Sequence, residues 1–127
     1  MAVSDNRPFF LNLVKIKLPV TGFVSIFQRI SGLFLFLAIP FSVYLLDLSL
    51  QSKAGFDQAV EILSMPLLQL ASLILLWSIV HHLLAGIRFL LIDFDIGLEK
   101  QQATRFAWLV LIFEALVFVF LAVGIFL

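Results

Sequence analysis

Three long apolar stretches, separated by short polar connections, dominate the pattern of this sequence. They contain at most one charged residue each and cover residues 30–46, 62–87 and 106–127. A helix needs about 20 residues to cross the hydrocarbon core of a bilayer, and the apolar pattern around each stretch reaches that length. Lipid offers the backbone no hydrogen-bond partners and three segments cannot close a barrel, so the spans must be helices.

The pattern therefore predicts an all-α membrane protein with three transmembrane helices. Their expected bounds are about 22–48, 64–93 and 104–127, with connecting loops at roughly 49–63 and 94–104. We expect residues 1–127 to form a single domain, because these loops are too short to hold another one. Pro40 falls inside the first span, where a kink is tolerated if a neighbour satisfies the freed carbonyl.

The composition agrees with a membrane protein. The chain is 63% hydrophobic and 13% charged, whereas a soluble domain has about 25% charged residues. A chain of 127 residues has too little interior to hide so much apolar surface, which excludes a soluble monomer. It has no cysteine and no net charge. A disulfide scaffold and an iron–sulfur ligand set are thereby excluded, and nothing favours a nucleic-acid partner.

The positive charges predict the orientation of the chain. Of the eight lysines and arginines, only Lys53 lies between the first and second spans, and the others lie on the opposite side. Positive residues favour the cytoplasm, so we expect a cytoplasmic N-terminus and a periplasmic C-terminus. The polar start resembles neither a cleavable signal nor a transit peptide, which favours the bacterial inner membrane.

The second span contains two adjacent histidines, His81 and His82. At about 100° per residue they point to different faces, so only one of them can serve a given site. Ser78 and Gly86 lie four residues before and after His82. Small residues allow close helix packing. They also leave room for a b-type haem, whose iron takes a neutral imidazole as axial ligand, with a second chain needed for the other axial position.

The start of the first span carries a second polar group of residues. Ser25 and Arg29 are four residues apart and share a helix face, with Gln28 and Gly32 on its flanks. An arginine at this depth can extend to the lipid headgroups. The hydroxyl and the amide beside it favour a polar pocket instead, in which the guanidinium binds an anionic or carbonyl group.

Two further charged positions have open interpretations. Glu114, in the third span, is either a proton carrier or a hydrogen-bonded packing residue. Arg88, followed by Asp93 and Asp95, is expected to mark the cytoplasmic end of the second helix through an ion pair or a capping contact.

Three motifs share one order and spacing with a known family. They are Arg7-Pro8, Ser25-x-x-Gln28-Arg29-x-Ser31-Gly32 and His82-x-x-x-Gly86-Ile87-Arg88-Phe89-x-x-x-Asp93. Together they resemble the cytochrome b subunit family of succinate dehydrogenase, the larger membrane anchor of respiratory complex II. The number of spans and the total length agree as well.

The resemblance implies that the chain is half of a heterodimeric anchor bundle. A second three-helix subunit would bind one haem b with it, His82 ligating the iron from this side and a partner histidine from the other. The ubiquinone site would lie at the cytoplasmic edge beside the iron–sulfur subunit, with Ser25 and Arg29 contacting the quinone and Ile26 lining the pocket. Arg29 and Gln28 would lie near the haem propionates. A flavoprotein subunit would complete the complex.

The sequence departs from the family at two positions. Gln28 and Phe89 stand where histidine is common, so a proton-relay role at position 28 is in doubt, and the resemblance gives His81 no role. The expected function is that of a non-catalytic subunit of succinate:ubiquinone oxidoreductase, serving the tricarboxylic acid cycle and aerobic electron transport. The alternatives are a proton-coupled transporter using Glu114, an anchor without a cofactor, and a fumarate reductase anchor.

Overall fold

The computed structural model describes residue 12 and residues 15–127 and shows an all-α chain. Its helices are α1 (Val20–Gln51), α2 (Lys53–Ser64), α3 (Pro66–Asp93) and α4 (Lys100–Phe126). Helices α1, α3 and α4 are long and apolar enough to cross a membrane, which confirms the three predicted transmembrane helices. α1 continues through Pro40 without a break. Arg7 and Pro8, the first of the three motifs, lie outside the described residues.

Helix α3 lies between α1 and α4 and contacts both of them more extensively than they contact each other. The three helices meet at Val24, Ala85 and Ala107, which are fully buried. Two of these residues are alanines, and small side chains allow helix backbones to approach closely. Elsewhere large apolar side chains stay exposed, with Phe36 at 69% and Phe120 at 78%, as expected for surfaces that face lipid or a partner helix.

The connection at 49–63, which the sequence pattern predicts to be a loop, is mostly the helix α2. Ser52 caps its N-terminus, because the Ser52 hydroxyl accepts a hydrogen bond from the backbone N–H of Gly55 at 3.0 Å. Gly55 and Ala59 are its buried residues, and α2 packs mainly on α1. Pro66 then begins α3, a position where its missing N–H costs nothing.

A tight turn joins α3 to α4. Asp95 and Gly97 both have positive φ, at 61° and 83°. A Cβ on Gly97 would lie 2.6 Å from the ring of Phe106, so glycine is required there for both conformation and space. The turn returns the chain antiparallel, which brings the first turns of α4 beside the end of α3.

Arg88 is buried at this end of the bundle and does not form the expected ion pair. Its Nη2 atom donates to the backbone carbonyl of Ala103 at 3.5 Å, and its guanidinium lies 5.4 Å from the ring centre of Phe89. Within residues 15–127 neither Asp93 nor Asp95 forms a salt bridge with it. The expected ion pair does not form because the side chain turns towards α4 rather than along its own helix.

Candidate functional site

His82 lies on α3 and directs one ring nitrogen at α1. Its Nδ1 atom is 3.3 Å from the backbone carbonyl oxygen of Gln28 and 3.3 Å from the hydroxyl of Ser31. A carbonyl only accepts hydrogen bonds, so Nδ1 carries the hydrogen and Nε2 keeps its lone pair. In the part of the chain that the structure describes, Nε2 has no hydrogen-bond partner. Metal-ligating histidines are commonly oriented by such a contact on the other ring nitrogen.

The surface of α1 is shaped to receive this ring. Ser31 is fully buried, and its hydroxyl donates to the carbonyl of Gln28 at 2.9 Å, which leaves its oxygen free to accept from Nδ1 of His82. A Cβ on Gly32 would lie only 3.1 Å from Cε1 of His82. The imidazole therefore packs directly on the α1 backbone.

Gln28 is held between the two helices. Its Nε2 atom donates to the backbone carbonyl of His82 at 3.3 Å, and a Cβ on Gly86 would lie 3.6 Å from that nitrogen. The side-chain oxygen, Oε1, is buried and has no partner among the described residues. A buried acceptor without a donor costs about 1–3 kcal/mol, so the amide keeps its bond to His82 at the expense of an unsatisfied oxygen.

The predicted quinone contacts lie on the same part of α1. Ser25 and Ile26 are half-buried and Arg29 is exposed. Within the described residues, the hydroxyl of Ser25 and the guanidinium of Arg29 form no hydrogen bond or salt bridge. Since four residues make about one helical turn, the two polar groups share a face and remain available to a ligand.

His81, by contrast, is completely buried, with both ring nitrogens occupied. Nδ1 lies 2.7 Å from a carboxyl oxygen of Glu114 on α4, and Nε2 lies 3.3 Å from the backbone carbonyl oxygen of Val24 on α1. The ring stacks on Trp77 at 5.4 Å and meets Phe27 edge-on at 5.9 Å. Of the two interpretations of Glu114, the hydrogen-bonded packing residue fits this arrangement.

The small residues of α3 serve mainly to pack helices. Ser78 is fully buried and its hydroxyl bonds to the carbonyl of Ile74 in the same helix at 2.8 Å. Ala85 is buried where α1, α3 and α4 meet. Ser78 was expected to leave room for a macrocycle beside His82, but the chain itself covers that position. Gly86 is half-buried, so of the two small residues that flank His82 it is the one that still leaves space beside the ring.

The fold and this site define a multi-pass helical membrane protein with one histidine nitrogen free to ligate. The family described as the succinate dehydrogenase/fumarate reductase transmembrane subunit matches residues 3–121. The chain belongs to this family, which confirms the resemblance stated from the motifs.

Two relatives are close enough to compare along most of their length. The succinate dehydrogenase cytochrome b556 subunit of Coxiella burnetii is 37% identical over 92 residues, which cover 72% of this chain and 74% of the relative. The subunit of the same name from Paracoccus denitrificans is 32% identical over 100 residues, covering 79% and 77%.

Proposed function

We propose that this chain is the cytochrome b anchor subunit of a bacterial succinate:ubiquinone oxidoreductase. The observation that carries the proposal is the geometry of His82, whose Nδ1 is held by α1 while Nε2 is free of partners in the described chain. Family membership supports a membrane-anchor role. The family name also covers fumarate reductases, and the two relatives, both named for succinate dehydrogenase, favour the first enzyme.

The proton-coupled transporter is the weaker candidate. A carrier group must exchange protons with both sides of the membrane through a polar path. Glu114 is only 6% exposed and bonds to a fully buried histidine. This contact gives the carboxyl group a structural partner, and little of its surface is open for proton exchange.

The residues around His82 fit a haem b. The free Nε2 atom of His82 would ligate the haem iron. Arg29 would pair with a propionate, and Gln28 has a second amide N–H for the same purpose, since one of its two is directed at His82. The bound haem would supply reversible one-electron storage. A second anchor subunit would provide the other histidine ligand.

The quinone would bind at the turn of α1 that carries Ser25 and Arg29. The hydroxyl of Ser25 donates a hydrogen bond to one quinone carbonyl. The guanidinium of Arg29 stabilises the negative charge that develops on a quinone oxygen as electrons arrive from the iron–sulfur subunit. Ile26 forms an apolar wall. The quinone is converted to the quinol by two electrons and two protons. The electrons come from succinate through the flavoprotein and iron–sulfur subunits, and the protons come from water.

The proposed location is the bacterial inner membrane, with the N-terminus in the cytoplasm. In this orientation the first turns of α1, the end of α3 and the start of α4 lie on the cytoplasmic side. The quinone site is then adjacent to soluble subunits that bind there. The positive-inside distribution of lysine and arginine supports this orientation.

The decisive experiment compares His82→Leu with wild type in the purified complex. Leucine keeps the volume and apolar character but cannot ligate, so we expect the low-spin haem band of the reduced-minus-oxidised spectrum to disappear. Leu83→Ala is the matched control, because Leu83 is the exposed neighbour on α3, and it should keep the band. An unaltered low-spin haem in an assembled His82→Leu complex would exclude His82 as the ligand.

A second experiment tests the quinone site. Ser25→Ala and Arg29→Ala should each lower quinone reduction by about 10²-fold or more, because oxyanion-type stabilisation is lost. Succinate oxidation by a soluble dye should remain, since the dye takes its electrons before they reach the membrane anchor. If quinone reduction in both variants equals that of wild type, the assignment of the site to this turn is wrong.

A further inference from the structure

The buried pair His81–Glu114 lies outside the groups that ligate haem or contact quinone. We propose that it is a positioning pair, which holds the first turns of α1 in the orientation that the quinone site requires. This inference rests on the proposed function, since it assigns a role in the same reaction.

The pair links all three membrane helices. From α4, Glu114 contacts Nδ1 of His81 on α3 at 2.7 Å, and Nε2 of His81 contacts the carbonyl oxygen of Val24 on α1 at 3.3 Å. Among the described residues, this is the one chain of side-chain hydrogen bonds that joins α1, α3 and α4. Burying two polar side chains in an apolar bundle is costly unless they are bonded, and here each has its partner.

The ring of His81 has a single allowed orientation. The carbonyl of Val24 can only accept, so Nε2 carries a hydrogen. The bond between Nδ1 and Glu114 forms whichever of the two holds the shared hydrogen. The aromatic rings of Trp77 and Phe27 hold the plane of the imidazole. Rotating the imidazole would break both hydrogen bonds at once.

The two histidines together fix the rotation of α1. His81 contacts the carbonyl of Val24, and His82 contacts the carbonyl of Gln28. These carbonyls are four residues apart, which is about one helical turn. Two such contacts on one face prevent α1 from turning about its axis. Ser25 directly follows Val24 and Arg29 directly follows Gln28, so this rotation sets where the hydroxyl and the guanidinium point.

Without the pair, the hydrogen bonds between His82 and Gln28 and the apolar packing of Val24 would still hold this part of α1. Apolar packing is non-directional, so the turn that carries Val24 and Ser25 would lose the contact that fixes its rotation. We therefore expect the affinity for quinone to fall while His82 and its ligand remain. A pair that only stabilises the bundle would instead affect assembly and leave quinone affinity unchanged.

The test uses the complete purified complex with the double substitution His81→Phe/Glu114→Leu. Replacing both members of a buried polar pair with apolar residues of similar size is often neutral for stability. Phenylalanine also keeps the ring contacts. We expect assembly and the haem absorption spectrum to match wild type. The KM for a short-chain ubiquinone should rise about tenfold or more, since losing one hydrogen bond between Ser25 and the quinone weakens binding by about that factor.

Three companion variants complete the design. Glu114→Gln keeps a hydrogen-bonding group against Nδ1 of His81, so its KM should stay within about twofold of the wild-type value. Ile112→Leu alters an exposed side chain of α4 and should change nothing. His81→Phe alone removes both contacts of the imidazole and should raise KM like the double variant. Dye reduction by succinate should be normal in every variant.

The outcomes separate this inference from the proposed function. If the double variant or His81→Phe assembles and its quinone KM stays within about twofold of wild type, the positioning role is wrong, although His82 and Arg29 keep their roles. Failure of both variants to assemble would also overturn it, because the pair would then be needed for folding alone. The proposed function fails only in the experiments on His82, Ser25 and Arg29.

Discussion

The two faces of α3 use adjacent histidines in opposite ways. On the face between α4 and α1, His81 is fully buried and both ring nitrogens are bonded within the chain. On the face towards α1 alone, the ring of His82 is half-buried and, among the described residues, bonded through Nδ1 only. An imidazole whose nitrogens are both engaged cannot ligate a metal, whereas one held through Nδ1 presents Nε2. The number of partners supplied by neighbouring helices therefore separates a structural histidine from a candidate ligand.

The residues packed against each ring differ in the same way. Aromatic rings of Trp77 and Phe27 enclose His81, whereas Ser31 and Gly32 leave the ring of His82 against bare backbone. The face around His81 is closed because these rings fill it, and the face around His82 is open because its residues are small. Substitutions that fill the open face or remove a hydrogen bond from the closed face test this contrast.

The largest effect is expected from filling the open face with Gly32→Val. A Cβ alone would lie 3.1 Å from Cε1 of His82, and the two methyl groups of valine would force the imidazole away from α1. Overpacking costs about 1–3 kcal/mol, so we expect the affinity for haem to fall about tenfold or more. The haem content per purified complex measures this loss.

Gly124→Val is the matched control for that substitution. It makes the same change in α4, where a Cβ would meet no atom within 4 Å, so haem content should equal that of wild type. A Gly32→Val complex with full haem content would show that the ring of His82 does not depend on the close approach of α1.

A smaller effect is expected from removing the hydrogen bond of His81 on the closed face with Glu114→Leu alone. Nδ1 of His81 then loses its partner in a buried place, which costs about 1–3 kcal/mol of stability. The midpoint of thermal unfolding of the purified complex should fall by several degrees, while the haem spectrum is retained. The control is Glu61→Leu on α2, where the side chain is exposed. An equal loss in both variants would mean that the contact with His81 contributes nothing.

The sequence alone predicts the membrane helices well because length and apolarity are local properties. It missed α2, because its 12 residues mix apolar and charged positions and are too few to cross a membrane, so the pattern of membrane spans does not mark them. The rotation of about 100° between consecutive helical residues was enough to place His81 and His82 on different faces. The sequence alone did not pair His81 with Glu114, because these residues lie 33 positions apart and a single sequence does not show which helix faces meet.

The site residues show the same division between local and tertiary information. The motif around His82 came from the resemblance, whereas the contact that orients its ring required the packing of α1 on α3. Arg88 was expected to pair with an aspartate nearby in sequence, but it reaches the carbonyl of Ala103 across the turn. The hydrogen bond from Gln28 to the backbone carbonyl of His82 was not predicted either. It depends on how closely α1 and α3 pack, which a single sequence does not show.

The smallest effect is expected from Ser31→Ala, which weakens the support of His82 without removing it. The carbonyl of Gln28 still accepts from Nδ1 at 3.3 Å, and only the hydroxyl contact of similar length is lost. A neutral hydrogen bond contributes about 0.5–1.5 kcal/mol, so haem should stay bound with a small shift in its midpoint potential. Ser78→Ala is the comparison, since that serine is equally buried but bonds within its own helix. Ser78 does not contact His82. If the midpoint potential of the haem shifts equally in the two variants, the hydroxyl of Ser31 gives no specific support to His82.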